Sequence, residues 1–144
     1  MNKNKSNDII QEMEGKTVTV ACPLETANPS PAIMWQKDGY PISLSSHPLI
    51  TLSSNRSTLT IRRIRPINGG IYKCLASNIA GHSEHDTRLE VIVPPMIVNT
   101  NSEQRNPNII KNQPLTLNCK TDGIPHPKIK WFRNNTIINS DDYL

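Results

Sequence analysis

Apolar and polar side chains alternate with a period of two over most of residues 17–93, the signature of half-buried strands rather than helices. Val18, Val20 and Cys22 fall on one face, with Thr17, Thr19 and Ala21 on the other. Ile33 and Trp35 form a second inward pair, and Leu59 and Ile61 a third, after the turn-like run Ser53-Ser54-Asn55-Arg56-Ser57. Tyr72, Cys74 and Ala76 make a fourth set, with Lys73 and Ser77 outward; Leu89, Val91 and Val93 make a fifth, alternating with Arg88 and Glu90. Turn residues punctuate these runs at Lys37-Asp38-Gly39, Asn68-Gly69-Gly70 and Asn78-Ile79-Ala80-Gly81. No convincing amphipathic helix interrupts them, so the expected fold class is all-β, a two-sheet sandwich.

The pattern then starts again. Val18-Thr19-Val20-Ala21-Cys22 matches Leu115-Thr116-Leu117-Asn118-Cys119, and Pro29-Ser30-Pro31-Ala32-Ile33-Met34-Trp35 matches Pro125-His126-Pro127-Lys128-Ile129-Lys130-Trp131. The repeat is about a domain long, far beyond a solenoid period, and implies two copies of one module. The expected organisation is a flexible stretch over residues 1–7, a complete domain over 8–93, and over 96–144 the N-terminal half of a second domain, truncated by Leu144.

Composition narrows the class without changing it. With 35% hydrophobic and 19% charged residues the chain is neither disordered nor membrane-spanning by composition, and a net charge of +4 is too mild to mark a nucleic-acid binder. Met1-Asn2-Lys3-Asn4-Lys5 leads into no apolar run, so no secretory signal is expected there.

The spaced set Cys22, Trp35, Leu59-x-Ile61, Asn68-x-Gly70-x-Tyr72-x-Cys74, with Trp35-x-Lys37-Asp38-Gly39-x-Pro41 and Cys74-x-Ala76-x-Asn78-x-Ala80-Gly81, resembles the immunoglobulin superfamily, specifically its I-set domains. The resemblance implies a disulfide between Cys22 and Cys74 on strands B and F, and a core of Trp35 packed on that bridge, Leu59, Tyr72 as the tyrosine corner, and Trp131 in the second copy. Cys119 takes the first-cysteine position of that copy and is left unpaired in this chain. The copy is expected to supply strands A, B, C and C′ but not E, F and G. Two positions depart from the family pattern: Asn68, where Asp is usual, and Ala27, where Gly usually precedes the Pro-x-Pro run. Buried free thiols at Cys22 and Cys74, as in cytosolic muscle relatives, are the alternative to the bridge. The Val93-Pro94-Pro95 junction and Gly123-Ile124-Pro125-His126-Pro127 are similar to long extracellular immunoglobulin arrays of the hemicentin family, with neural adhesion receptors nearly as close.

Three Asn-x-Ser/Thr sequons stand at Asn4, Asn55 and Asn134; Asn55 falls in an expected D–E turn and Asn134 in the C–C′ turn, and these two are the glycosylation candidates. With the bridge they point to an extracellular location, on the cell surface or in matrix, despite the missing signal. In that case the chain is an internal piece of a longer product. Arg62, Arg63 and Arg65 flank Ile64, which should tuck inward; they form a candidate patch for an acidic partner, against the plainer reading of a solvated edge that resists sheet-to-sheet aggregation.

No catalytic residue, cofactor or metal site is expected. There is no Gly-rich phosphate loop, no nucleophile elbow and no spaced carboxylate pair; His82 and His85 are expected to be solvated on opposite faces of a strand hairpin, and Asp141-Asp142 to be a solvated doublet. The function implied is a non-catalytic adhesion and spacing module whose partners are other immunoglobulin-domain proteins, homophilic or heterophilic, or matrix proteins, without nucleic acid or direct membrane contact. Pro94 and Pro95 should stiffen the joint between modules. The rivals are an intracellular titin-like muscle scaffold and the ectodomain of a receptor kinase or phosphatase.

Overall fold

Alternating burial along short strands organises the structure, a computed structural model that describes residues 8–98 and 108–138. The chain separates into two compact units, Met1–Val93 and Pro94–Leu144. The first contains β1 (Asp8–Met13), β2 (Val18–Ala21), β3 (Ala32–Lys37), β4 (Tyr40–Pro41), β5 (Ile50–Leu52), β6 (Thr58–Ile61), β7 (Gly70–Asn78) and most of β8 (Gly81–Ile97), with short 3-10 turns at Leu44–Ser46 and Pro66–Asn68. Two sheets result: one in the order β1-β8-β7-β3-β4, the other in the order β2-β6-β5. All described pairings within them are antiparallel except β1 with β8, which run parallel from Asp8 opposite Thr87 to Met13 opposite Ile92.

The inward residues of the two sheets make one core. Val18 and Val20 from β2, Ile33 and Trp35 from β3, and Leu59 and Ile61 from β6 are buried, as are Tyr72, Cys74 and Ala76 from β7 and Leu89 and Val91 from β8. Ile64, between β6 and the Pro66–Asn68 turn, is 0% exposed, so the arginines around it are carried on an anchored segment. Removing each of the valine, leucine and isoleucine side chains from water is worth about 1.5–3 kcal/mol, which is why the period-two pattern, once satisfied on both inner faces, fixes strand register. Val93, expected inward, is only half-buried.

Turn chemistry closes the strands. Asp38 and Gly39, with φ of 50° and 86°, form the two-residue connection between Lys37 and Tyr40, the left-handed pair that suits the twist of a tight hairpin. The second unit repeats the device: Asn134 and Asn135, with φ of 49° and 64°, join β10 (Trp131–Arg133) to β11 (Thr136–Ile138).

The second unit departs from expectation in two ways. Residues 115–119 adopt no strand, although their sequence matches β2. Trp131, expected in a core, is 39% exposed, and Leu115, Leu117 and Ile129 are 42–45% exposed. The physical reason is common to both: among the described residues of this unit no apolar side chain is buried, so nothing rewards an inward alternation. The unit does contain β9 (Thr121–Ile124), and there Gly123 (φ +146°) lies so close to Pro94 and Pro95 that a β-carbon would sit 3.1 Å from the Pro95 α-carbon. The 1–7 segment, the Asn4 sequon and Asp141-Asp142 lie outside the described residues.

Candidate functional site

The centre of the first unit is the Cys22–Cys74 disulfide, with α-carbons 5.8 Å apart. Trp35 is the cross-strand partner of Cys74 and is 4% exposed, so its ring lies in the layer that the bridge ties together. A buried indole needs an acceptor, and its Nε1–H donates to the Arg56 carbonyl at 2.8 Å. That bond pins the loop between β5 and β6 to the core. Cys119 is free and half-buried.

Near the start of β7 the Tyr72 hydroxyl donates to the Asn68 carbonyl at 2.7 Å. Asn68 Oδ1 in turn accepts the Arg65 backbone N–H at 2.7 Å, so the amide does for the 3-10 turn what a carboxylate would do. Asp38 completes this corner. Its Oδ1 accepts the Ile71 N–H at 2.8 Å, its own N–H donates to the Ile71 carbonyl at 2.9 Å, and Oδ2 meets the Lys37 ammonium at 2.7 Å. The Lys37 and Ile71 hydrogen bonds hold the Asp38 carboxyl below its ordinary range. Burial, and then the negative charge of Asp38, push the Tyr72 phenol up to about 12. Nothing in the spacing of the sequence had singled out the Asp38–Ile71 clasp; the only available signal was the Lys-Asp-Gly turn itself.

The sequon residues sit on turns. Asn55 is exposed, and its Oδ1 accepts from Ser53 Oγ, Ser57 Oγ and the Ser57 N–H at 2.8–3.1 Å. Its Nδ2, the atom a glycan would modify, takes no part in those bonds. Asn134 is exposed in the β10–β11 hairpin. Arg62, Arg63 and Arg65 are all exposed beside buried Ile64, as the sequence implied. His82 is exposed, but His85 is not simply solvated: its Nε2 lies 3.0 Å from Asp8 Oδ2, because the parallel β1–β8 pairing brings the start of β1 alongside. Among the described residues, no group of three or more His, Cys, Asp or Glu side chains could hold a metal, and no helix is long and apolar enough to cross a membrane.

Two sheets bridged by a disulfide, a tryptophan against the bridge and a tyrosine two residues before the second cysteine define an immunoglobulin-type sandwich. The chain belongs to the immunoglobulin superfamily: residues 4–91 match the immunoglobulin I-set domain, and residues 94–144 match a second immunoglobulin domain model. It is 38% identical to mouse hemicentin-1 over 123 residues, covering 85% of this chain and 2% of that protein. It is 35% identical to the chicken cell adhesion molecule DSCAM, covering 81% and 6%, and 33% identical to the Caenorhabditis elegans muscle M-line assembly protein unc-89, covering 79% and 1%. The chain therefore spans only a few hundredths of the length of these relatives. Among solved structures, the four N-terminal immunoglobulin domains of Dscam1 superpose with a TM-score of 0.72 at 21% identity, over 96% of this chain and 35% of that one, a likeness of fold.

Proposed function

We propose that this chain is a non-catalytic protein-binding segment of an extracellular multi-immunoglobulin-domain protein of the hemicentin kind, acting in adhesion or matrix organisation. Its partners on this reading are other immunoglobulin-domain proteins, homophilic or heterophilic, or matrix proteins. Residues 8–93 are the folding module, and residues 96–144 belong to a second module of the same type. The observation that carries the reading is the Cys22–Cys74 bridge in the core, since such bridges persist in oxidising compartments and are rare in the cytosol. The exposed amides of Asn55 and Asn134 fit it as N-glycosylation sites, and the named adhesion relative supports it.

The similarity to unc-89 favours a second reading, an intracellular muscle scaffold, in which Cys22 and Cys74 would remain thiols. The compartment separates them. An antibody to residues 8–93 should stain intact, unpermeabilised source cells or appear in their medium, and the chain recovered there should carry a glycosidase-sensitive mass on the Asn55 peptide. Staining confined to permeabilised cells, with both cysteines alkylated without reduction, favours the scaffold.

A further inference from the structure

The edge of the first unit around Ile64 gathers more positive charge than the sequence run suggests. The Ile64 N–H donates to the Lys16 carbonyl at 2.9 Å and the Gly15 N–H to the Ile64 carbonyl at 2.8 Å, so Lys16, remote in sequence, joins Arg62, Arg63 and Arg65. All four side chains are exposed. The segment that bears them is held in place: Ile64 is 0% exposed, the Arg62 N–H donates to the Leu49 carbonyl at 3.0 Å, and the Arg65 N–H is held by Asn68.

Two features combine at this edge. Lys37, Lys73 and Arg88 on the same unit each meet a carboxylate within 4 Å, whereas among the described residues Lys16, Arg62, Arg63 and Arg65 meet none; Arg56, in the turn between β5 and β6, is likewise without an ion pair, but only at the Ile64 edge do four such cations lie on adjoining segments. Like charges on adjoining backbone segments repel, so the cluster costs stability that an anion would return. Arg63 also adopts a left-handed φ of 51°, a conformation that a glycine would adopt more easily and that Arg56 shares at 60° in the β5–β6 turn. A strained arginine kept in an unneutralised cluster points to a ligand for it.

We propose that Lys16, Arg62, Arg63 and Arg65 form a binding site for a sulfated polysaccharide of the heparin class. Forked guanidinium donors match sulfate oxygens, and fixed cations on one edge suit a repeating polyanion. A protein partner is disfavoured because the edge has no exposed aromatic anchor, its exposed apolar neighbours being the aliphatic Met13, Leu49 and Ile67. The site rests on the extracellular reading for its biological ligand, but the purified chain binds or fails to bind heparin whatever its compartment. The staining experiment above therefore tests that reading separately.

The 144-residue chain, disulfide intact, is titrated with a heparin oligosaccharide and run on immobilised heparin. Each of Arg62→Ser, Arg63→Ser and Arg65→Ser should weaken binding about tenfold, the loss of one charge-assisted hydrogen bond. Lys16→Ser should also elute earlier. A variant losing Lys111, Lys120 and Lys128 should elute with the native chain. Arg63→Gly should bind more weakly while its unfolding midpoint is unchanged or higher, which separates the lost contact from lost folding. Equal elution of the arginine variants and the native chain overturns the site, as does an equal loss in the Lys111, Lys120 and Lys128 variant. Equal affinity for hyaluronan, which carries no sulfate, overturns the ligand class.

Discussion

The Tyr72 hydroxyl and the Asn68 carbonyl, four residues apart, are joined by a 2.7 Å hydrogen bond that ties the start of β7 to the 3-10 turn preceding it. Tyr72 is 0% exposed, so the bond is the only outlet for its hydroxyl donor in the described structure. Removing it leaves the Asn68 carbonyl short of a partner, and Tyr72→Phe should lower unfolding free energy by about 1–2 kcal/mol in denaturant titration with an unchanged m-value.

The same burial controls the alkaline behaviour of the phenol. Its folded pKa, about 12, lies above the ordinary 10, so the folded state holds this proton more tightly than the unfolded one. The resulting stability is fully present below pH 10 and is lost as pH rises through 12. The difference in tyrosinate absorbance between the native chain and Tyr72→Phe should therefore stay flat to about pH 11 and rise only with unfolding. A step near pH 10 in that difference would contradict the buried geometry.

Asp38 behaves in the opposite sense. Its folded pKa is depressed from 3.8, so its contribution is present above that value and disappears as pH falls through the lower folded one. Thermal midpoints measured from pH 5 down to pH 2 should fall more steeply for the native chain than for Asp38→Asn. Parallel curves would mean that the carboxylate adds nothing to the clasp with Ile71.

Gly70 makes that clasp possible. A β-carbon at this position would stand 2.6 Å from both Asp38 carboxylate oxygens, and φ there is +143°. Gly70→Ala should cost about 1–3 kcal/mol, and less in an Asp38→Ala background where the clash is gone. A double-mutant cycle measures the difference; strict additivity would show that only backbone strain is involved.

Opening the Cys22–Cys74 bridge releases a 52-residue separation in the unfolded chain, worth about 4 kcal/mol in the chain-entropy account. The Cys22→Ala/Cys74→Ala chain should lose roughly this much, a large part of the ~5–15 kcal/mol typical of a domain. Hydrogen exchange checks the contrast between the units. Amides of β3 and β7 should exchange slowly, while those of residues 115–119 and 129–133 exchange near the rate of an unprotected chain, because Leu115, Leu117, Ile129 and Trp131 are exposed. Slow exchange across both segments would show that the second unit has a core of its own in this chain.

The alternation of Val18, Val20 and Cys22, of Ile33 and Trp35, of Leu59 and Ile61 and of Tyr72, Cys74 and Ala76 determined the sandwich by itself, because a period-two pattern can be satisfied only by strands that share an inner face. The inward Ile64 and the hairpin at Asp38-Gly39 were legible for the same local reasons. The same alternation at Leu115-Thr116-Leu117-Asn118-Cys119 produced no strand, since local pattern proposes a strand but a facing surface decides it. Contacts between residues far apart in sequence were settled only by the tertiary structure: Lys16 beside Ile64, Asp8 beside His85, the Asp38 carboxylate against Ile71 and the Trp35 indole on the Arg56 carbonyl. Each depends on which strands become neighbours and on where a backbone group is left without a partner, and a one-dimensional pattern carries neither.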